Sequence, residues 1–342
     1  MVRLRTPLCD LLNIDYPILS VGFSRSAVPE LAAAVSNAGG LGVLGLSLSA
    51  NEISPLVRKT RELTERPFGG NILVADLADI PDASEADREE TRRSIAAAIA
   101  ERVPVLILFW GDPGPFVAPA HAVGVKLLIQ VGSVDEAVAA AQAGVDAVIA
   151  QGVEAGGHVK ATESIWDVLP RAVEAVRPTP VIASGGIGDG RAIARALQLG
   201  AQGVSLGTRF VASEEAWIHN VYKRRLVESQ ADDTFYGEFF DLWWPNAPHR
   251  ALKRKTYEEW DAAGRPVTGN RPGEGEIIGT FRRPGGDLPW PRYASGMLTP
   301  DFDGEPEYAP MWAGTSVDAI DKIQPAAAII EELVAEAEAA LA

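Results

Sequence analysis

Residues 145–158 read Val-Asp-Ala-Val-Ile-Ala-Gln-Gly-Val-Glu-Ala-Gly-Gly-His. The first half is an apolar run without alternation, the mark of a strand covered on both faces of a parallel sheet. The second half opens into three glycines, a glutamate and a histidine. A plain turn needs one or two such residues. Gly152, Gly156 and Gly157 permit close backbone approach and positive φ, and His158 stands beside them. A buried strand that opens into chemistry predicts a functional loop at the strand's C-terminal end.

The same rhythm runs from residue 17 to residue 229. Strand candidates are Pro17–Val21, Leu41–Gly45, Gly69–Ala75, Pro104–Trp110, Val125–Val131, Val145–Gln151, Pro180–Ser184 and Gly203–Gly207. Between them lie helical stretches with start and stop signals. Pro29-Glu30 opens one and Asn37-Ala38-Gly39-Gly40 ends it; Ser133-Val134-Asp135-Glu136 is a capping-box pattern whose helix stops near Gly144. The stretch from Ala83 to Arg102 is charged on one face and Ala/Ile-rich on the other. Eight evenly spaced βα units predict an α/β fold, a TIM (β/α)8 barrel over residues 1–230. A doubly wound open sheet is the alternative, and the lack of an early Gly-x-Gly-x-x-Gly counts against it.

Residues 231–315 break the pattern. They hold five of the eight tryptophans and ten of the 24 prolines, with no clear periodicity, and are too aromatic to be disordered. They are expected to form an irregular extension or lid on the barrel, followed by an acidic, Ala-rich helix over 316–342.

Composition bounds the function. With 47% hydrophobic and 23% charged residues the chain should be globular. A net charge of −15 argues against nucleic acid and against anionic membrane surfaces. Cys9 is the only cysteine, so no intrachain disulfide is expected, and it precedes the first strand with no histidine near it. The N-terminus lacks the apolar core of a signal peptide, and no long uninterrupted apolar stretch exists. A soluble cytoplasmic protein is the expectation.

In a barrel the site is built from the loops at the C-terminal ends of the strands. After the seventh strand comes Ala183-Ser184-Gly185-Gly186-Ile187-Gly188-Asp189-Gly190, then a helix; after the eighth comes Leu206-Gly207-Thr208-Arg209-Phe210. Small residues and free N–H groups at a helix start suit a phosphate, and two such loops one βα unit apart strengthen that reading. Asn71 and Gln130 place amides at strand ends, where they can meet the edge of a flat heterocycle or serve as turn residues. His158 is the candidate for acid–base work. His121, His219 and His249 have no comparable setting and read as structural. Glu154 either orients a neighbour or is solvated. No metal-ligand spacing, Gly-x-Ser-x-Gly or P-loop is present.

Taken together, Gln151–His158, the stretch Pro29–Gly42, Ala183-Ser184-Gly185-Gly186-Ile187 and Gly207-Thr208-Arg209-Phe210 resemble the nitronate monooxygenases, formerly called 2-nitropropane dioxygenases. The resemblance covers about residues 5–230 and is shared with FMN-dependent enoyl-acyl carrier protein reductases and NADH:quinone reductases. It implies a barrel that holds FMN noncovalently. Gly185, Gly186, Gly207 and Thr208 would hold the phosphate, with Ser184 beside them. Asn71 and Gln130 would meet the flavin ring or ribityl chain. Gly22, Gly152 and Gly157 would lie close to the cofactor, and His158 would be the catalytic histidine. The implied reaction is oxidation of alkyl nitronates, or nitroalkanes, by O2 to a carbonyl compound and nitrite. His158 would then stabilise the nitro oxygens or take a proton from a neutral nitroalkane. One departure is Ser20-Val21-Gly22-Phe23, where the family usually has Ala-Pro-Met.

Three rivals stand beside this reading. The first is an NAD(P)H-dependent FMN reductase of quinones or enoyl thioesters, for which the Arg/Lys-rich stretch Arg250–Arg292 is a candidate phosphate contact or a solvated face. The second is a non-catalytic flavin-binding protein, against which His158 argues. The third is a relative of inosine monophosphate dehydrogenase, which would need a loop cysteine. The terminal helix and exposed aromatics would suit a homodimer surface.

Overall fold

The computed structural model describes residues 3–75, 83–283 and 286–342. Its main sheet holds, among the described residues, β1 (Ile18–Ser20), β2 (Gly42–Gly45), β3 (Phe68–Leu73), β4 (Val105–Phe109), β5 (Lys126–Val131), β6 (Ala147–Gln151), β8 (Val181–Ser184) and β9 (Gly203–Leu206). Between β6 and β8 lies β7 (Gly157–His158), a two-residue strand outside the barrel. All eight predicted strands are present, with bounds that shift by a residue or two at their ends. Every pairing in the main sheet is parallel. The two edge strands meet through a parallel bridge, Leu19 to Leu41, reinforced by Ser20 N–H to Leu41 O at 3.0 Å and Leu41 N–H to Ile18 O at 2.9 Å. The sheet therefore closes into a TIM barrel.

Side chains alternate along each strand. Leu19, Leu41, Val43, Val105, Ile107, Leu128, Ala147, Ile149 and Ile182 form the barrel interior, together with Leu8, Cys9 and Leu12 of α1 (Pro7–Leu12). Cys9 is buried in that cluster. The alternate set, including Leu106, Leu108, Ile129, Val148 and Val204, packs outward under the helices.

The cap signals are largely realised, though the box read at Ser133–Glu136 forms only its Ser133 half, because the Glu136 carboxylate accepts from Gly132 N instead. Helix α2 spans Pro29–Asn37 with proline in its first turn. Gly42 allows α2 to lie directly on the barrel, since a Cβ there would sit 1.8 Å from Ala32 O. The crossovers continue with α3 (Ala50–Leu63), α4 (Glu85–Ala100) and α5 (Gly114–Ala122). Ser133 Oγ accepts from Glu136 N at the start of α6 (Val134–Ala143), which ends on Gly144 at φ 92°. Helices α7 (Ile165–Ala175) and α8 (Gly190–Gln198) flank β8, and α9 (Thr208–Val211) and α10 (Asn220–Val227) come after β9.

The segment 231–315 is more regular than its sequence suggests. It forms β10 (Thr234–Gly237), β11 (His249–Leu252), α11 (Lys255–Ala262), β12 (Ile277–Phe281), β13 (Leu288–Pro291) and β14 (Phe302–Gly304). Strands β10, β11 and β7 make one antiparallel sheet; β13, β12 and β14 make another. The terminal helix expected from Ser316 begins at α12 (Ala326–Leu341) instead, after a short 3-10 turn. Pro325 explains the delay: it has no N–H to donate within a helix and stands at the N-cap.

Candidate functional site

The inward alternation continues past the apolar interior to one further layer at the C-terminal end of the barrel. There each strand line contributes one side chain: Val21, Ser47, Asn71, Phe109, Gln130, Gln151, Ser184 and Ser205. Five of these eight carry an amide or hydroxyl on the barrel strands themselves, and they floor a cavity of about 320 Å3. The change from aliphatic to polar at the top of one continuous stack marks where the packed interior ends and the cavity begins.

Gly22, Asn71, Gln130, Gly157, His158, Ser184, Gly185, Gly186, Gly207 and Thr208 all line this cavity. The structure thus brings together ten of the eleven residues singled out from sequence. Gly152 is the exception. A Cβ there would lie 2.4 Å from both Glu154 Oε2 and Ile165 N, so its missing side chain admits the start of α7. Gly22 is wedged between β2 and β3: a Cβ would meet Leu44 O at 2.4 Å and Asn71 Cβ at 2.5 Å. The departure at residues 20–23 is therefore matched to the position of Asn71.

On one side the cavity is bordered by the loops after β8 and β9. Gly185 and Gly186 have φ of 98° and 67°, a conformation that other L-residues rarely adopt. Among the described residues the N–H groups of Gly186 and Ile187 have no acceptor. At the start of α8, by contrast, two of the N–H groups are already taken. Asp189 accepts from Ala192 N at 2.7 Å, and Glu336 of α12 accepts from Gly190 N at 2.8 Å. Among the described residues the N–H groups of Thr208 and Arg209 at the start of α9 also have no acceptor, so donors are on offer both from the loop after β8 and from the helix start after β9.

The opposite side is built around His158. Gln151 pins the loop: its Nε2 donates to His158 O at 3.2 Å and its Oε1 accepts from Lys160 N at 3.0 Å. The extension then pairs with this loop, His249 against His158 and Arg250 against Gly157. The His158 ring lies 4.0 Å from Trp244, 5.4 Å from Trp312 and 5.6 Å from His249, centroid to centroid. Its Nε2 is buried and has no hydrogen-bond partner. Burial among rings, with the nearby His249 adding to it, pushes its pKa down to about 3. The imidazole is neutral at physiological pH.

His249 has the opposite status. Its Nε2 accepts from Phe239 N (3.1 Å) and Phe240 N (3.0 Å), which leaves the proton on Nδ1, 2.9 Å from Ala247 O. It adjoins the site yet is fully used by the fold, in keeping with the structural reading. Glu154 is also spoken for: Ser164 Oγ donates to Oε1, Ile165 N donates to Oε2 at 3.0 Å, and Thr315 N donates to its carbonyl at 2.9 Å. Thr208 Oγ1 accepts from Gly314 N at 3.0 Å. A Cβ on Gly156 would sit 2.4 Å from Gly314 N. Contacts at Glu154, Gly156 and Thr208 therefore strap residues 313–315 across the cavity edge.

Trp244, Met297 and Trp312 also line the cavity. They come from the aperiodic segment, and sequence reasoning did not reach them. The Trp243-Trp244 pair inside a Pro-rich stretch was the available signal. Four arginines of the cationic stretch Arg250–Arg292 are engaged internally. Arg254 pairs with Glu307 at 2.8 Å, Arg271 with Glu274 at 2.6 Å and Arg292 with Glu259 at 2.6 Å, while Arg250 donates to Val153 O at 2.9 Å. Among the described residues no cluster could hold a metal ion, and no helix is long and apolar enough to cross a membrane.

A closed barrel, a polar-topped cavity and a buried neutral histidine define a TIM-barrel enzyme. The chain belongs to the nitronate monooxygenase family, whose family model matches residues 5–336. It is an oxidoreductase of that flavin-using class. It is similar to a probable nitronate monooxygenase of Staphylococcus saprophyticus, 33% identical over 268 residues, covering 68% of this chain and 75% of that one. It is equally similar to a Mycobacterium tuberculosis protein named (3aS,4S,5R,7aS)-5-hydroxy-7a-methyl-1-oxo-octahydro-1H-indene-4-carboxyl-CoA dehydrogenase. That match is 34% identical over 267 residues, 77% of this chain and 70% of the other. Among solved structures, FabK from Thermotoga maritima aligns with a TM-score of 0.76 at 32% identity, covering 98% of this chain and 96% of that chain. A nitroalkane oxidase from Streptomyces ansochromogenes aligns with a TM-score of 0.76 at 27% identity, covering 97% and 98%.

Proposed function

We propose that this enzyme binds FMN in the cavity and oxidises alkyl nitronates, and more slowly neutral nitroalkanes, with O2 to a carbonyl compound and nitrite. The observation that carries the reading is His158: a neutral imidazole whose buried Nε2 has no partner, at the edge of a cavity whose lining, among the described residues, holds no Asp, Glu, Lys or Arg.

The residues present fit FMN. The positive-φ turn at Gly185 and Gly186, with the unpaired N–H groups of Gly186 and Ile187 and the hydroxyls of Ser184 and Thr208, suits a phosphate, because converging neutral donors hold an anion without a counter-charge. Asn71, already donating to Ile107 O at 3.2 Å, and Gln130 suit the polar edge of a flat ring. When bound, FMN supplies the electron-accepting and oxygen chemistry. The chain's own part is to position and desolvate. An imidazole with a pKa near 3 is a weak base, so His158 serves best as a neutral hydrogen-bond donor to the nitro oxygens, where charge shifts during the reaction.

The test is the visible spectrum of the purified protein under anaerobic conditions, before and after a small alkyl nitronate. A flavin band that the nitronate bleaches, with extracted cofactor identified as FMN, supports the reading. A band that ignores nitronate but bleaches with NADH or NADPH moves the assignment to reduction of quinones or enoyl thioesters, the direction in which the FabK likeness points. The internal pairing of Arg254, Arg271 and Arg292 gives those residues no free charge for a nicotinamide nucleotide's phosphate.

A further inference from the structure

Trp244 stands on the 241–246 turn of the extension and forms part of the cavity wall. Its ring lies 4.0 Å from the His158 ring at an interplanar angle of 31°, too close for any group to enter between them. On its other side it meets Trp110 at 5.2 Å. The turn is anchored near its start. Phe239 and Phe240 N–H donate to His249 Nε2 at 3.1 and 3.0 Å, Asp241 meets the buried Arg271 at 2.9 Å, and Leu242 N–H donates to Tyr293 O at 3.2 Å. Trp312 shares the wall, but its indole N–H is committed to Gly296 O at 2.8 Å. With Phe109 and Met297 these rings make the His158 side of the cavity apolar and short. At about 320 Å3 the cavity lined by the described residues is at the small end of ligand pockets.

We propose that Trp244 is a specificity residue that limits how long a substrate may be above His158. It admits short apolar bodies with a flat two-oxygen head and turns away long acyl chains. This rests on the reading that the cavity is the active site, and it narrows that reading to short-chain nitronates and nitroalkanes.

The experiment uses the flavin-loaded protein and a length series of unreactive straight-chain carboxylates and primary amides, acetyl to octanoyl. Binding is read from perturbation of the flavin absorbance in wild type, Trp244→Phe, Trp244→Leu and Trp244→Ala. In wild type the Kd should rise by about tenfold or more once the chain outgrows the pocket, the scale at which apolar pockets discriminate. Trp244→Ala should move that break to longer chains, Trp244→Leu should move it part of the way, and Trp244→Phe should leave it nearly in place. A wild-type series without a break, or a break at the same length in the Leu and Ala variants, overturns the proposal. Failure of the nitronate reading looks different: the length profile shifts as expected while nitronate leaves the flavin oxidised.

Discussion

The cavity has two halves of different origin. The barrel half offers backbone N–H groups, amides and hydroxyls from strand ends and the loops after them. The extension half offers rings: Trp244 and Trp312, with His249 behind them. The first is suited to a polar, anionic cofactor; the second excludes water and sets the shape left for a substrate. His158 lies at the seam, on a barrel loop that has become a strand of the extension's sheet. The contrast implies a division of labour, in which binding of the cofactor and selection of the substrate are coded in separate parts of the chain.

That division is most exposed to test at the seam. His158→Ala removes a neutral donor from a water-poor site, and kcat/KM for nitronates should fall by about 10²- to 10³-fold, the usual effect of deleting one such donor. Flavin content should not change. His158→Gln, which keeps a donor, should recover part of the loss. A parallel fall in bound flavin would show that the two halves are not separable. Behind the seam, His249→Leu leaves Phe239 N–H and Phe240 N–H without their acceptor. Stability should fall by about 2–4 kcal/mol, given about 1–3 kcal/mol for each buried unsatisfied group. Denaturant unfolding checks this, and a change below about 1 kcal/mol would mean that the extension does not depend on this histidine.

The same division explains how much is legible in sequence. Eight apolar runs, their turn glycines and the caps at Ser133 and Gly144 are local signals, and local chemistry realises them in the barrel. The barrel half of the site is legible with them, because strand-end positions are fixed by period and order. Gly152 is not, because a glycine's sequence context does not say whether ligand or helix occupies the space it leaves. The α8 start is hidden for a similar reason: Glu336 comes from 146 residues away. The extension stays opaque, since its strands are short and its pairings, such as Gly279 with Gly304 and His249 with His158, are set by tertiary contact rather than by period. Its start-to-end order gives no hint that Trp244 and Trp312 meet one imidazole.

Titration adds a second contrast, because the two histidines whose pKa values are lowered furthest, His158 and His249, belong to the extension's sheet. Burial holds His158 near pKa 3 and His249 near 4, against about 6.5 when unfolded. Below pH 6.5 the unfolded chain therefore takes up protons that the native chain refuses, and stability falls as pH falls. The loss begins near pH 6.5 and, on the order of 2 kcal/mol per histidine by pH 5, precedes protonation of most carboxylates. His158→Gln should flatten the curve of unfolding free energy between about pH 6.5 and 5 by about that amount. An unchanged slope would mean that this ring is not held neutral by the aromatic wall.

The smallest expected effect belongs to the barrel half and tests whether it acts alone. Gly186 has φ 67°, and a Cβ there would lie 3.0 Å from Glu154 Cβ. Gly186→Ala costs about 1–2 kcal/mol for the left-handed conformation. The loop can relieve that strain by turning its N–H groups away from the cavity, which would weaken cofactor binding by about tenfold if the strain is relieved only in the free protein. Equilibrium dialysis of FMN against wild type and Gly186→Ala measures the shift directly. The selectivity of the remaining flavin-loaded fraction for short over long ligands should match wild type, since the nearest neighbours of a side chain at this turn are Glu154 and Thr315, not the rings of the extension half. A variant that binds FMN normally but loses chain-length selectivity would invert the assignment of the two halves.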